Sequence, residues 1–182
     1  GIGGTLSPTH AEYAGHISRS GHHLLDVVNM LLDMSKIEAG KFEVHAELFA
    51  PQALVEPCMQ MVETLARDRA VTIEAAVPEK LPQIMGDERA CRQILINLLS
   101  NAVKFSHDGG IVTLAMRRQG KVLAISVSDS GIGMPPETVE RIGEPFLQGQ
   151  DSLSRRYEGT GLGLSIVKGL VSLHGGLLDV AS

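Results

Sequence analysis

Apolar residues follow two different rhythms along this chain. Between Thr9 and Ala39, Tyr13, Ile17, Leu24, Val28 and Leu31 recur at steps of three, four and seven, a seam close to a heptad. That rhythm predicts one long amphipathic helix, and Gly40 predicts its C-cap. A single helix cannot bury such a stripe alone. It needs a partner helix, and two chains pairing would supply a bundle; the alternative is a helix packed on the globular part. Residues 1–8, rich in Gly, Ser, Thr and Pro, read as a loop or a cloning scar.

After Gly40 the pattern changes. Residues 44–49 suit a strand, and 51–67 an amphipathic helix with Pro51 in its first turn. A short strand is expected at 71–76, then a loop carrying Pro78 and Pro82 and ending at Gly86-Asp87. Asp87 is the expected N-cap of a helix running to about Phe105. Residues 111–118 and 121–129 alternate as strands around Gln119-Gly120 and predict an antiparallel hairpin. A glycine-punctuated region at 130–160 precedes a last helix from about Gly161 to His174, and Gly175-Gly176 then leads to a short strand at 177–181. Strands and helices mix without regular βαβ alternation, which favours an α+β sandwich over a doubly wound sheet.

Composition removes several function classes. A net charge of −5 gives no electrostatic reason to expect nucleic acid, and 3% aromatics with no Trp offer no base-stacking platform. No apolar run reaches the ~20 residues that span a bilayer, and no signal peptide is visible. Cys58 and Cys91 read as small buried hydrophobes, not as a disulfide or metal pair.

Candidate chemistry lies in three segments. In NLLSNAVKFS (97–106), Asn97, Asn101 and Lys104 share one helix face. A carboxamide oxygen is a hard ligand suited to Mg²⁺, Lys104 can meet a phosphate, and Phe105 offers an apolar face. The plainer reading is an ordinary helix with polar packing residues. In DSGIGM (129–134), Asp129 at a strand end can accept from an exocyclic amine such as that of adenine. Gly131 and Gly133 permit positive φ and close approach of backbone to a ligand; a simple capped turn fits as well. In GTGLGLSIVK (159–168), Gly159, Gly161 and Gly163 lead into a helix whose first N–H groups suit phosphate oxygens. Its spacing is not the dinucleotide fingerprint, it does not directly follow an expected strand, and no G-x-x-x-x-G-K-[ST] loop occurs.

In order and interval these segments resemble the N box and the two glycine boxes of sensor histidine kinases. EPFLQG (144–149), with Phe146, resembles the intervening phenylalanine box. The resemblance covers about residues 10–182, and LLDMSKIEAGK (31–41) is similar to the end of the second helix of that family's dimerisation domain. It implies a two-layer α/β sandwich of the Bergerat ATP-binding type, a mixed sheet packed on helices, at 44–182. Residues 9–43 would be one helix of a dimerisation bundle.

The resemblance also implies roles. Asn101 would ligate Mg²⁺, with Asn97 contacting phosphate or metal, Lys104 touching phosphate and Phe105 covering adenine. Asp129 would read the adenine amine, and Gly131 and Gly133, with Ile132 and Met134 in the same box, would shape that pocket. Gly159, Thr160, Gly161, Leu162, Gly163 and Leu164 would form the lid hinge and triphosphate cradle. Phe146 joins the ATP-binding set, as do Arg155 and Arg156 in a lid at 147–160, either of which could reach the γ-phosphate or be simply solvated. The implied cofactors are ATP and Mg²⁺. The implied partners are a second copy of the chain and the receiver domain of a response regulator, in a cytoplasmic setting with no nucleic acid and no membrane contact by this segment.

The chain departs from the family in one respect. The phosphoacceptor pattern, a His followed by an acidic residue and then Arg/Lys-Thr-Pro, does not occur, and none of His10, His16, His22, His23, His45, His107 and His174 has those neighbours. The histidines are assigned to helix surface and packing. The chain is therefore expected to be cut short at both ends, without the strand that usually follows one like 177–181, and to bind ATP without phosphorylating itself. Two other functions compete with the kinase reading: an ATP-binding pseudokinase or scaffold, and a gyrase-like or MutL-like ATPase. The ATPases place a glutamate where Asn97 stands.

Overall fold

A computed structural model describes residues 7–147 and 160–182. Helix α1 (Pro8–Glu38) opens on Ser7, whose hydroxyl accepts from the His10 N–H, with Pro8 where a missing N–H costs nothing. It closes as the sequence predicts. Gly40 takes φ +64°, its N–H reaches the Ile37 carbonyl, and the Lys41 N–H reaches that of Lys36, the paired bonds of a Schellman end.

Beyond α1 come strand β1 (Glu47–Phe49), a 3₁₀ turn (Pro51–Leu54) and helix α2 (Val55–Asp68). Strands β2 (Thr72–Ala76) and β3 (Ile84–Gly86) lead to helix α3 (Glu88–Phe105). Strands β4 (Ile111–Gln119) and β5 (Val122–Asp129) precede a short helix α4 (Pro136–Glu140) and helix α5 (Gly163–Leu173). The main sheet runs β2-β4-β5, with β2 parallel to β4 and β4 antiparallel to β5; β1 and β3 form a separate antiparallel pair. The sheet is mixed and packs against helices, in the α+β arrangement expected.

Alternation explains the layers. On β4 the side chains of Val112, Leu114 and Met116 are buried while their neighbours are less so. These three meet Cys58, Val62 and Ala66 of α2 and Leu95, Leu99, Ala102 and Val103 of α3 in the principal core. Each fully buried aliphatic side chain there contributes about 1.5–3 kcal/mol. A second cluster lies on another side of α3: Ala90, Leu162, Ile166 and Leu170, covered by Met30, Met34, Ile37 and Phe42. Helix α3 is thus held from two sides, which fixes the asparagines it carries.

Several local expectations change. The strand foreseen at 44–49 contracts to Glu47–Phe49, and the helix foreseen from Pro51 begins as a 3₁₀ turn. The loop ending at Gly86 contains β3, three residues too short to show a rhythm. The hairpin turns at Gly120-Lys121, one position later than expected, because Gln119 still pairs with Val122. Helix α4 stands inside the glycine-punctuated region, started by Pro135 and Pro136. Residues 177–182 form no strand. Cys58 is buried and Cys91 half-buried, both as free thiols.

Of the two readings of α1, packing on the globular part holds for its C-terminal half: Ile37 packs over Gly169, and the Gln93 amide donates to Asp33 at 3.0 Å. The seam of Tyr13, Ile17, Leu24, Val28 and Leu31 stays exposed, Ile17 at 74%. Most of residues 1–8, and the His23 side chain, lie outside the described residues.

Candidate functional site

The last turns of α3 meet the first turn of α5. A Cβ placed on Gly163 would sit 3.7 Å from Oδ1 of Asn97 and 3.7 Å from Nδ2 of Asn101. The two asparagines, one turn apart on α3, therefore line the mouth of α5. Helix α5 begins without a side-chain cap: Leu162 precedes it in helical conformation, and its side chain provides no hydrogen bond. Among the described residues no side chain caps its leading N–H groups and positive dipole end. Nδ2 of Asn97 is buried with no hydrogen-bond partner among the described residues. A buried donor left unsatisfied costs about 1–3 kcal/mol, so Nδ2 of Asn97 is open to an acceptor brought to the start of α5.

Next to this junction, DSGIGM is tied to the end of α3. The Ile132 N–H donates to the Phe105 carbonyl at 3.2 Å, and Gly131 bridges to Ser106. A Cβ on Gly131 would run into that same carbonyl and into Oδ1 of Asp129. Space, rather than a positive φ, demands glycine at 131; Gly133 does take φ +68°. Oδ1 of Asp129 accepts from the Gly131 N–H at 2.9 Å, which orients the exposed carboxylate at the end of β5. Oδ2 takes no hydrogen bond from the described residues. Lys104 lies with Nζ 5.7 Å from the centroid of the Phe105 ring, a cation–π contact at the rim. Ile132 is exposed, and the Met134 N–H donates to the Ser182 hydroxyl.

The phenylalanine segment joins through its backbone. The Phe146 N–H donates to the Gly161 carbonyl at 3.1 Å, and a Cβ on Gly161 would come within 2.9 Å of the Phe146 backbone. The Phe146 ring itself is exposed, on a residue held at φ +63°. Thr160 faces two ways: its hydroxyl accepts from the Leu162 N–H and lies 3.9 Å from Sδ of Met30 on α1. Leu162 is fully buried in the cluster under α1, so its side chain anchors the loop and only its backbone can meet a ligand. Leu164 is half-buried on the first turn of α5. Arg155, Arg156 and Gly159, with most of the lid at 147–160, lie outside the described residues.

Among the described residues no group of three or more His, Cys, Asp or Glu could hold a metal ion. A cation here would depend on amide oxygens and on the ligand's own phosphates. Nor is any helix among them long and apolar enough to cross a membrane.

Residues 86–182 match the model of the histidine kinase-, DNA gyrase B- and HSP90-like ATPases. The chain belongs to this family. Within it, the unit described here is the ATP-binding catalytic core of the sensor histidine kinases. A sensor-like histidine kinase of Rhizobium meliloti is 47% identical over 171 residues, covering 94% of this chain and 33% of that protein. The histidine protein kinase DivJ of Caulobacter vibrioides is 41% identical over 179 residues, covering 98% of this chain and 30% of that protein. Full-length ShkA in complex with AMPPNP superposes with a TM-score of 0.83 at 32% identity, over 98% of this chain and 37% of that one. The chain thus spans a third or less of the curated relatives' length.

Two features needed the structure. One is which residues of α1 dock on the globular part, Met30, Asp33 and Ile37, since the helix pattern left docking and bundle pairing as alternatives. The other is His174, assigned to surface or packing by its sequence neighbours, yet bonded through both ring nitrogens.

Proposed function

We propose that this chain binds ATP with Mg²⁺ between the end of α3, the DSGIGM turn and the start of α5, and donates the γ-phosphoryl to a histidine imidazole outside the chain. The observation that carries this reading is the buried Nδ2 of Asn97, without a partner among the described residues, beside the first turn of α5. Asn97 would donate to a phosphate oxygen, and Oδ1 of Asn101 would ligate Mg²⁺. These residues fit such a metal because they bring neutral hard donors and leave the remaining positions to phosphate and water. When bound, Mg²⁺ supplies charge neutralisation on the phosphates.

The remaining roles fall to the protein. Lys104 adds a positive charge at the rim. Phe105 and Ile132 cover the base, while Asp129, oriented by the Gly131 N–H, accepts from the adenine amine through its other oxygen. Gly161, Gly163 and the α5 N–H groups cradle the phosphates, and Arg155 or Arg156 reaches the γ-phosphate. With an amide at 97, no group there can take a proton from water, so the nucleotide is held for transfer rather than hydrolysed.

Residues 9–43 would serve as the second helix of a dimerisation domain and 44–182 as the catalytic domain. The exposed seam of α1 supports pairing with a second copy of the chain, and a response-regulator receiver domain would accept the phosphoryl group in turn. The scaffold reading keeps the pocket without the transfer.

Calorimetry with AMPPNP tests the binding step. The wild type should bind in a Mg²⁺-dependent manner, and Asn101→Ala should lose that dependence with an unchanged far-UV circular dichroism spectrum. Unaltered Mg²⁺ dependence in the variant would show that the metal lies elsewhere.

A further inference from the structure

The ring of His174 joins the two helices of the site at the end away from the nucleotide. Nδ1 lies 2.8 Å from the Leu170 carbonyl, and Nε2 lies 3.0 Å from the Asp87 backbone nitrogen. A carbonyl can only accept and an amide N–H can only donate. The ring must therefore carry its proton on Nδ1 and keep Nε2 bare, which is the neutral imidazole. Protonation would set one N–H against another and break the Asp87 bond.

The position of this bond gives it reach. Helices α3 and α5 run side by side in opposite directions: His174 meets Asp87 at one end, and Gly163 meets Asn97 and Asn101 at the other. The apolar contacts of Ala90, Ile166 and Leu170 between them are non-directional and tolerate sliding. The directional link at the far end is the His174–Asp87 bond. Gly86 keeps the ring close, since a Cβ there would come within 3.3 Å of its Cδ2. The elements packed around the ring bring Asp87, Glu88 and Arg89 at the start of α3 and His45 and Glu47 in and before β1, while α5 itself brings Lys168. The Asp87 carboxylate accepts from the N–H groups of His45, Arg89 and Ala90, which fixes the start of α3 beside the ring.

We propose that neutral His174 is a positioning residue that sets the register of α5 against α3, and thereby holds Gly163 opposite Asn97 and Asn101 for nucleotide binding. This rests on the ATP reading of the site. Losing the His174–Asp87 bond then weakens nucleotide binding from a point remote from the nucleotide.

Two measurements on the full 182-residue chain decide it. Nitrogen-15 spectra of the histidine rings at pH 8 should show His174 as the Nδ1–H tautomer; the Nε2–H tautomer overturns the proposal. Calorimetry with AMPPNP and Mg²⁺ at pH 8 should show His174→Leu, which leaves the Asp87 N–H without its acceptor, binding roughly three- to tenfold more weakly than the wild type, the range of one hydrogen bond. His174→Gln, which keeps an acceptor, should recover most of that affinity. Equal losses in the two variants, or no loss in either, overturn the proposal. If His174→Leu does not fold, a loss of tenfold or more in His174→Gln overturns it. No AMPPNP binding by the wild type at pH 8 sinks the ATP reading and this role together, whereas normal binding indifferent to His174 sinks this role alone.

Discussion

Ile37 of α1 lies so close over Gly169 of α5 that a Cβ at 169 would stand 2.7 Å from its Cγ2. The long helix therefore docks on the same helix whose first turn faces the two asparagines. Thr160 touches α1 as well, through Met30, immediately before that turn. Substituting Gly169→Val should push α1 away, at the cost of about 1–3 kcal/mol typical of overpacking. Tryptic cleavage after Lys36 should accelerate while the catalytic unit stays folded. Unchanged cleavage would mean the contact does not hold α1.

The DSGIGM turn makes a stricter demand. Gly131→Ala puts a methyl into the Phe105 carbonyl, a backbone atom that cannot swing aside. The variant should lose about 1–3 kcal/mol of stability and most of its AMPPNP affinity, because the turn separates from the end of α3. Thermal unfolding and calorimetry on the same sample check both. An alanine variant that binds normally would show that this turn does not shape the pocket.

A stabilising change is available away from the site. Ala70 ends α2 at φ +52°, with its N–H on the Arg67 carbonyl and the Val71 N–H on that of Ala66. These are the bonds of a Schellman end built on the wrong residue, since an L side chain there costs about 1–2 kcal/mol. Ala70→Gly should gain about 0.5–1 kcal/mol after the extra freedom of the unfolded chain is subtracted. The midpoint of thermal unfolding should rise by about 1–4 °C.

Asp87 predicts the acid behaviour. Burial of its carboxyl pushes the pKa up, but the N–H groups of His45, Ala90 and Arg89 and the Arg89 guanidinium outweigh that and hold it below the usual carboxylate value. A lowered folded-state pKa means the stabilisation is complete above the unfolded value of about 3.9, and disappears as the pH falls through the folded one. Asp87→Ala should cost about 0.5–2 kcal/mol at neutral pH, the value of an N-cap. It should also flatten the acid limb of the unfolding curve between pH 5 and 2. An identical acid limb in both proteins would contradict this.

The elements that carry chemistry were legible because each announces itself locally. Asp87 before an apolar helical run, the alternation of 111–129, and Gly161 before LGLSIVK each need only a few neighbouring residues to be read. What could not be read depends on pairing across the chain. Strand β3 exists because Leu48 finds Met85 and Phe49 finds Ile84, and three residues hold no rhythm of their own. Helix α4 was masked by prolines and glycines on either side. The demand for glycine at 131 was foreseen, but its cause was not, because the Phe105 carbonyl arrives from a residue 26 positions earlier. His174 was passed over for the same reason, its partner Asp87 being 87 positions away.

Amide chemical shifts during a titration with AMPPNP and Mg²⁺ test most directly whether one nucleotide is enclosed by all three segments. The account predicts that signals from Asn97 to Phe105, Gly131 to Met134 and Gly161 to Leu164 move together with a single dissociation constant. Movement confined to one segment, or separate constants for each, would contradict it.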